Sequence, residues 1–494
     1  MPSSYPTLAA VDLGSNSFRL QIVRVDGEQF FPLDSLKDTV RLGAGLTADN
    51  LLDEPTQERA LACLAKFGER LSHFRPDQVR VVGTNTLRVA TNAAAFIAKA
   101  EALLGFPIEI IAGREEARLI YTGASHSLPT GREKRLVVDI GGGSTEFIIG
   151  SGYKAQKTES LNLGCVTYSL RHFPQGILSK AHFKTAELIA RDQIQRIAQD
   201  FHAEHWQLAV GTSGTARSLR DILELNDYAT EGITRDGMER LKADLIRAEN
   251  LKNVSLNGLR SDRAPVLPGG LAIMLAVFEE LGIEQMSVTL GALRDGVLYD
   301  LLGRNFDHDL RDVTIGQFKR RYHVDTPQAS RVAELAMRFY AGVVGNTPPA
   351  EVHRQLGWAA KLHEIGLTIS HTGYHKHSAY VVENADMPGF SRLEQKQLAN
   401  LVLAHKGSLG KMLPLVNQAD YWPAILALRL AALFCRSRRP LTLPNTLALT
   451  AEGGKFSLRI AADWLDAVPL TASALRHEEG QWRAKGFGFQ VVAV

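Results

Sequence analysis

Up to about residue 302, short apolar runs alternate with longer amphipathic ones, and from 314 to about 439 the apolar spacing is helical almost throughout. Leu8 to Val11 form an apolar run that ends in Asp12. A polar turn, Leu13-Gly14-Ser15-Asn16-Ser17, follows, and Phe18, Leu20 and Ile22 then alternate with polar residues, which predicts strand, turn, strand. Asp26-Gly27 signals a hairpin before Phe30-Phe31. A helix is predicted from near Pro55, with Leu61, Leu64, Phe67 and Leu71 on one face, then a strand over 79–83. Thr91-Asn92 are expected to cap a helix that stops at Gly105, and a strand over 107–111 precedes a helix carrying Glu115 and Glu116 in its first turn. The same alternation continues through an apolar strand at 136–138, a long helix over 179–202, a strand at 207–210 and a polar turn at 211–215. Two helices between 234 and 250, a core helix around 271–278, a strand at 286–290 and a helix from Ala292 complete it. Such alternation predicts an α/β architecture.

Beyond a polar stretch at 302–312 the pattern predicts an all-α module, with Thr326-Pro327 as a cap and first-turn proline. Strand-like runs at 447–450, 456–460 and 489–494 predict a small α+β appendage. The expected domains are therefore 1–125, 126–305, 306–440 and 441–494.

Composition adds limits. A chain of 494 residues divides into roughly two to four domains. Its 45% hydrophobic and 22% charged content is ordinary for a globular protein, and neither end reads as a signal peptide. The longest apolar runs, at 271–278 and 427–435, are too short to span a bilayer, so no transmembrane segment is expected. Cys63, Cys165 and Cys435 form neither a disulfide framework nor a zinc motif, which points to a reducing cytoplasm. A net charge of +3 does not announce nucleic acid, and the basic clusters at 319–321 and 436–439 could serve a polyanion, although solvated helix faces explain such runs more often.

The candidate chemistry begins at Asp139-Ile140-Gly141-Gly142-Gly143-Ser144-Thr145-Glu146. Three glycines let backbone N–H groups converge, Ser144 and Thr145 add hydroxyl donors, and Asp139 and Glu146 are hard oxygen ligands of the kind that hold Mg2+ between protein and phosphate. This pattern repeats. Asp12 and Asp139, 127 positions apart, are each followed by Gly at +2 (Gly14, Gly141) and Ser at +5 (Ser17, Ser144), which predicts a duplicated domain whose halves face each other across a cleft. Neither turn has the Gly-x-Gly-x-x-Gly spacing of a Rossmann fold.

Taken together, residues 10–18, 113–121, 139–146, 211–215 and 290–299 resemble the exopolyphosphatase and guanosine pentaphosphate phosphatase (Ppx/GppA) family across essentially the whole chain. That resemblance implies two actin-like (ribonuclease H-like) domains, then a helical module similar to HD-type phosphohydrolases and a small C-terminal domain. It implies Glu116 as the catalytic base that orients water on a terminal phosphate, with Asp139 and Glu146 as ligands of an Mg2+ cofactor. Asp12, Gly14, Ser15, Asn16 and Ser17 on one side, and Gly141, Gly142, Gly143, Ser144 and Thr145 on the other, are then substrate donors. Arg88 and Arg263 are candidates either for phosphate clamps or for structural salt bridges, while Glu115 and Arg118 are expected to pair on the helix face. Thr212, Ser213 and Thr215 are expected to cap a helix or shape the cleft.

His353, His363, His371, His375, His377 and His405 cluster in the helical module, but Glu364 follows His363 where active HD enzymes carry Asp. An inherited scaffold is therefore expected ahead of a working dinuclear metal site. The block 375–380 resembles the exopolyphosphatase branch. The expected substrate is inorganic polyphosphate, entering a basic groove between the N-terminal domains and the helical module. Guanosine pentaphosphate (pppGpp) is the alternative, followed by a kinase of the same superfold or a non-catalytic sensor. A homodimer is a further implication of the resemblance.

Overall fold

The computed structural model describes residues 7–26, 29–129, 131–305, 309–345, 348–416, 419–439 and 442–494. The chain divides into two compact units, Met1–Asp309 and Leu310–Val494.

The first lobe of the N-terminal unit contains β1 (Thr7–Leu13), β2 (Phe18–Asp26), β3 (Gln29–Asp38), α1 (Glu54–Leu71), β4 (Val79–Gly83), α2 (Asn85–Val89), α3 (Ala93–Leu104), β5 (Ile108–Ile110) and α4 (Gly113–His126). Its sheet has the order β3-β2-β1-β4-β5, with antiparallel pairing through β1, β2 and β3 and parallel pairing from β1 to β4 and β5. Leu8 to Val11 are all buried because β1 is central and covered on both faces, which explains a continuous apolar run in place of alternation. β3 is the edge, and it tolerates Pro32 opposite a bulge at Ile22/Val23. The pairing of Asp26 with Gln29 agrees with the expected hairpin, although Gly27 itself lies outside the described residues. Asp53 caps α1, accepting from Thr56 N at 2.8 Å. Asn92 does not cap α3. Its side-chain amide is diverted to the backbone of Leu52, accepting from the N–H at 2.9 Å and donating to the carbonyl at 3.0 Å.

The second lobe contains β6 (Lys134–Ile140), β7 (Thr145–Ser151), β8 (Lys154–Leu161), α5 (Cys165–His172), α6 (Lys180–Phe201), β9 (Leu208–Thr212), α7 (Ser213–Leu225), β10 (Ile233–Thr234), α8 (Arg235–Ala248), α9 (Leu267–Leu281), β11 (Gln285–Val288) and α10 (Leu293–Asn305). Its order β10-β11-β9-β6-β7-β8 repeats the first sheet: an antiparallel meander β6-β7-β8 joined through β6 to parallel β9 and β11. The duplication read from the Asp/Gly/Ser spacing is thus a duplication of topology. Between 234 and 250 there is one helix rather than two. α8 runs unbroken to Ala248 and ends where Glu249 takes a left-handed φ of 61°.

The segment 264–281 is long and apolar enough to cross a membrane by composition. Within this fold it is a core helix. α9 is buried on nearly every face because α5, α6 and α8 surround it. α10 returns from the second lobe to pack on α4 and β1, and a shared core of Ala10, Ile120, Tyr121, Val137, Val210 and Val297 joins the lobes.

The C-terminal unit comprises α11 (Leu310–Arg321), α12 (Thr326–Val344), α13 (Ala350–Leu362), α14 (Tyr374–Asn384), α15 (Arg392–Ala404), α16 (Tyr421–Phe434), β12 (Ala448–Glu452), β13 (Lys455–Ile460), α17 (Ala462–Ala467), α18 (Pro469–Arg483) and β14 (Gly488–Ala493). The cap of α12 is Asp325, not Thr326: its carboxylate accepts from Gln328 N at 3.0 Å, and Thr326 is already helical. β12, β13 and β14 form one sheet whose buried Leu449, Leu458 and Phe489 join the core of the helices. Buried His363 and His405 lie with ring centroids 5.0 Å apart, each Nδ1 bonded to a main-chain carbonyl three residues back. No group of three His, Cys, Asp or Glu side chains among the described residues could hold a metal ion. The dinuclear reading of the histidine cluster therefore has no geometric support.

Candidate functional site

The two hairpin turns meet. β1 and β6 each end one residue after an aspartate, and the registers match: Asp12 opposes Arg19 as Asp139 opposes Glu146. Behind the turns, the carbonyls of Ser15 and Asn16 accept from Gly43 and Arg41 N–H groups, and those of Gly141 and Gly142 from Cys165 and Val166, at 2.8 to 3.0 Å. The amides of Ser15, Asn16, Gly142 and Gly143 donate to no backbone acceptor among the described residues. They are available as a cradle for an anion. Gly143 sits so close to the other lobe that a Cβ there would overlap Asn85 Oδ1 and approach Ser15 Oγ to 2.9 Å.

A cavity of about 110 Å³ opens over these turns. It is lined by Asp12, Gly14, Ser15, Asn16, Ser17, Glu116, Asp139, Gly141, Gly142, Gly143, Ser144, Glu146 and Arg263, which the sequence singled out at widely separated positions. Two expected substrate residues are elsewhere. Thr145 is fully buried and its hydroxyl donates to Leu163 O at 2.5 Å, which ties the turn to the start of α5. Arg88, on α2, donates from Nη1 to Glu116 Oε2 and to Ile111 O, each at 2.9 Å, and is not on the cavity wall. Of the two readings left open for Arg88, the salt bridge is the one observed.

Glu116 enters from the first turn of α4 and is 6% exposed. Burial raises its carboxyl above the usual range, and Arg88 opposes that. Glu115 faces away from the cavity and holds Arg118 at 2.7 Å, and Arg118 also reaches Asp300. Asp139 Oδ2 accepts from Ser213 Oγ at 2.6 Å, while Asp139 Oδ1 and Asp12 Oδ1 are buried without a hydrogen-bond partner. Burial pushes Asp12 up to about 6 and Asp139 to about 7, helped by Glu116. Glu146, raised well above the ordinary carboxylate value by burial, Glu116 and Asp139, accepts from Ser160 Oγ at 2.8 Å. The orphaned oxygens of Asp12 and Asp139 are hard donors that suit a divalent cation, and since no three His, Cys, Asp or Glu side chains among the described residues converge on one point, water and phosphate would complete its shell.

Three cationic residues on the cavity wall were not anticipated: Arg19, Arg217 and Arg294. With Arg263 they put four guanidinium groups on the cavity wall. Burial and its arginine neighbours push Arg19 down to about 10, and Arg217 is lowered for the same reasons. The site thus combines carboxylates and guanidinium groups: Asp12 has Arg294 and Arg19 as charged neighbours, and Asp139 has Arg217. Arg19 was legible in principle, since the offset of 127 that relates the turns carries it onto Glu146. Ser213 begins α7 with a left-handed φ of 66°, which turns its hydroxyl to Asp139.

A family model described as the Ppx/GppA phosphatase family matches residues 21–305, and a second, for domain III of that phosphatase, matches residues 310–479. Among solved structures, an exopolyphosphatase from Cytophaga hutchinsonii is similar in fold, with a TM-score of 0.55 and 23% identity over 60% of this chain and 98% of its own. A Ppx/GppA family member from Aquifex aeolicus is 25% identical over 61% of this chain and 99% of its own, with a TM-score of 0.51. A doubled actin-like sheet, a cleft built for phosphate and a family model spanning more than half of the sequence lead to one statement: the chain belongs to the Ppx/GppA phosphatase family and is a phosphoanhydride hydrolase.

Proposed function

We propose that this protein is an exopolyphosphatase that releases orthophosphate from the end of inorganic polyphosphate. The observation that carries this reading is the guanidinium cluster: Arg19, Arg217, Arg263 and Arg294 share the cavity wall, and among the described residues no aromatic ring lines the cavity to stack a purine. A linear chain of phosphates needs cations and no base pocket.

In this reading the terminal phosphate sits on the amides of the two turns. Glu116 accepts a proton from water as the water oxygen attacks the terminal phosphorus. The bond from that phosphorus to the bridging oxygen breaks, and its electron pair leaves with the shortened chain, whose charge the arginines receive. Asp139 and Asp12, with Glu146 beside them, would hold Mg2+, which when bound supplies positive charge to the phosphoryl oxygens. Ser213 orients Asp139 for that role, and Arg88 favours the ionised form of Glu116 and aims it.

The test compares orthophosphate release from long-chain polyphosphate and from guanosine pentaphosphate by equal amounts of enzyme. Preference for polyphosphate is expected, and preference for the nucleotide would replace this reading with the 5′-phosphohydrolase one. Glu116→Gln should cost about 10²- to 10⁴-fold in kcat with little change in KM.

A further inference from the structure

The basic wall of the cleft does not stop at the four arginines. A second cavity of about 180 Å³ shares Arg19, Arg217 and Arg263 with the first and extends past them to Lys37 and Arg260. Among its described lining residues the one carboxylate, Asp221, is occupied by Arg220 at 2.7 Å, and no side chain is aromatic. Lys37 stands on edge strand β3 of the first lobe, and Asp262 belongs to the loop before α9 in the second. Lys37 Nζ and Asp262 Oδ2 are 2.6 Å apart, so one ion pair links the two lobes beside this second cavity. The other oxygen of Asp262 takes Arg260 Nε at 3.2 Å. A single carboxylate therefore holds two cations of a cavity that otherwise collects positive charge.

We propose that this second cavity is the subsite for the inner phosphates of the substrate chain, and that Asp262 is a stand-in anion which the chain displaces from Lys37 and Arg260. The proposal rests on the exopolyphosphatase reading and deepens it, because it names how far along a linear polyanion the protein reads. Both partners of the Lys37–Asp262 pair are partly exposed, and such pairs are weak. A phosphate oxygen offers each cation a comparable acceptor with more charge behind it, so the exchange is favourable. Burial, together with Arg19 and Arg263, holds Lys37 below its ordinary value, against the pull of Asp262, as expected of a cation in surplus positive surroundings. On this assignment a substrate of three phosphates is held by the inner arginines alone. Longer chains also take Lys37 and Arg260.

Steady-state kinetics on tripolyphosphate and on long-chain polyphosphate separate the possibilities. Lys37→Ala and Arg260→Ala should each raise KM for the long chain about tenfold and leave tripolyphosphate within about twofold of wild type. Asp262→Asn should act in the opposite direction, lowering KM for the long chain severalfold, since it removes the competitor and keeps the cations. If the pair were only a latch between lobes, removing either partner would shift both substrates the same way, and that result overturns the proposal. A wild-type enzyme that is inactive on polyphosphate overturns the functional reading together with this inference. An active wild type whose three variants all behave alike overturns the inference alone.

Discussion

Arg88 Nη1 lies 2.9 Å from Glu116 Oε2, and both side chains are almost wholly buried. Burial disfavours the charged carboxylate, and the guanidinium works against it by charge and by hydrogen bond. Replacing it by Arg88→Gln leaves that burial unopposed, so the Glu116 carboxyl should rise further. The acid limb of the profile of kcat/KM against pH should move to higher pH, with activity recovering in alkali. A lowered plateau with an unmoved acid limb would instead make Arg88 a phosphate ligand.

Ser213 offers a second handle. Its hydroxyl donates to Asp139, which favours the charged carboxylate. Ser213→Ala should push Asp139 above about 7 and weaken Mg2+ binding by about 10- to 100-fold, read as the Mg2+ concentration that half-saturates thermal stabilisation.

Gly143→Ala tests the contact between the turns. The added methyl group would collide with Asn85 and Ser15 of the opposite lobe, so the cradle must open. We expect a loss of about 10²-fold in kcat/KM with a normal circular dichroism spectrum. Wild-type turnover would mean that the turns do not act as one site.

The two units should respond to pH with opposite signs. Asp139 has a folded-state value of about 7 against 3.8 for the unfolded chain, so the folded protein binds more protons between those limits and stability falls as pH rises through them. Asp139→Asn should therefore stabilise the metal-free protein at pH 8, by about 2 to 4 kcal/mol, and be neutral at pH 3.5. His405 in the other unit is held neutral by burial, well below 6.5. There the unfolded chain binds the extra proton, so its contribution is present above pH 6.5 and is lost as pH falls. Urea unfolding of wild type and Asp139→Asn across this range measures the first, and of wild type and His405→Gln the second.

Some of this was legible in the residues and some was not, for physical reasons. The hairpin turns announced themselves because Asp, Gly and Ser recur at fixed offsets within a few positions, and local spacing is what a sequence displays. Glu116 was legible only through the resemblance of its block, since a carboxylate in a first helical turn ordinarily serves the helix dipole. Arg217 and Arg294 were missed because they are distant in sequence and meet only when α7 and the start of α10 converge. Arg19 was hidden in the alternation of β2. Asp325 and Thr326 are equally competent caps, and backbone angles decided between neighbours. Asn92 was a sound cap by type, but Leu52, 40 residues earlier, claimed its side chain.

The helix that carries Glu116 leans on α10 through glycines: a Cβ on Gly123 would strike the carbonyl of Ala292, and one on Gly296 that of Leu119. Main chain rests against main chain, with no side chain between them to yield. In a survey of all single substitutions scored by growth or turnover, positions 123 and 296 would rank with Glu116 itself. They would look catalytic while touching no phosphate, because what they set is the height at which the base is mounted.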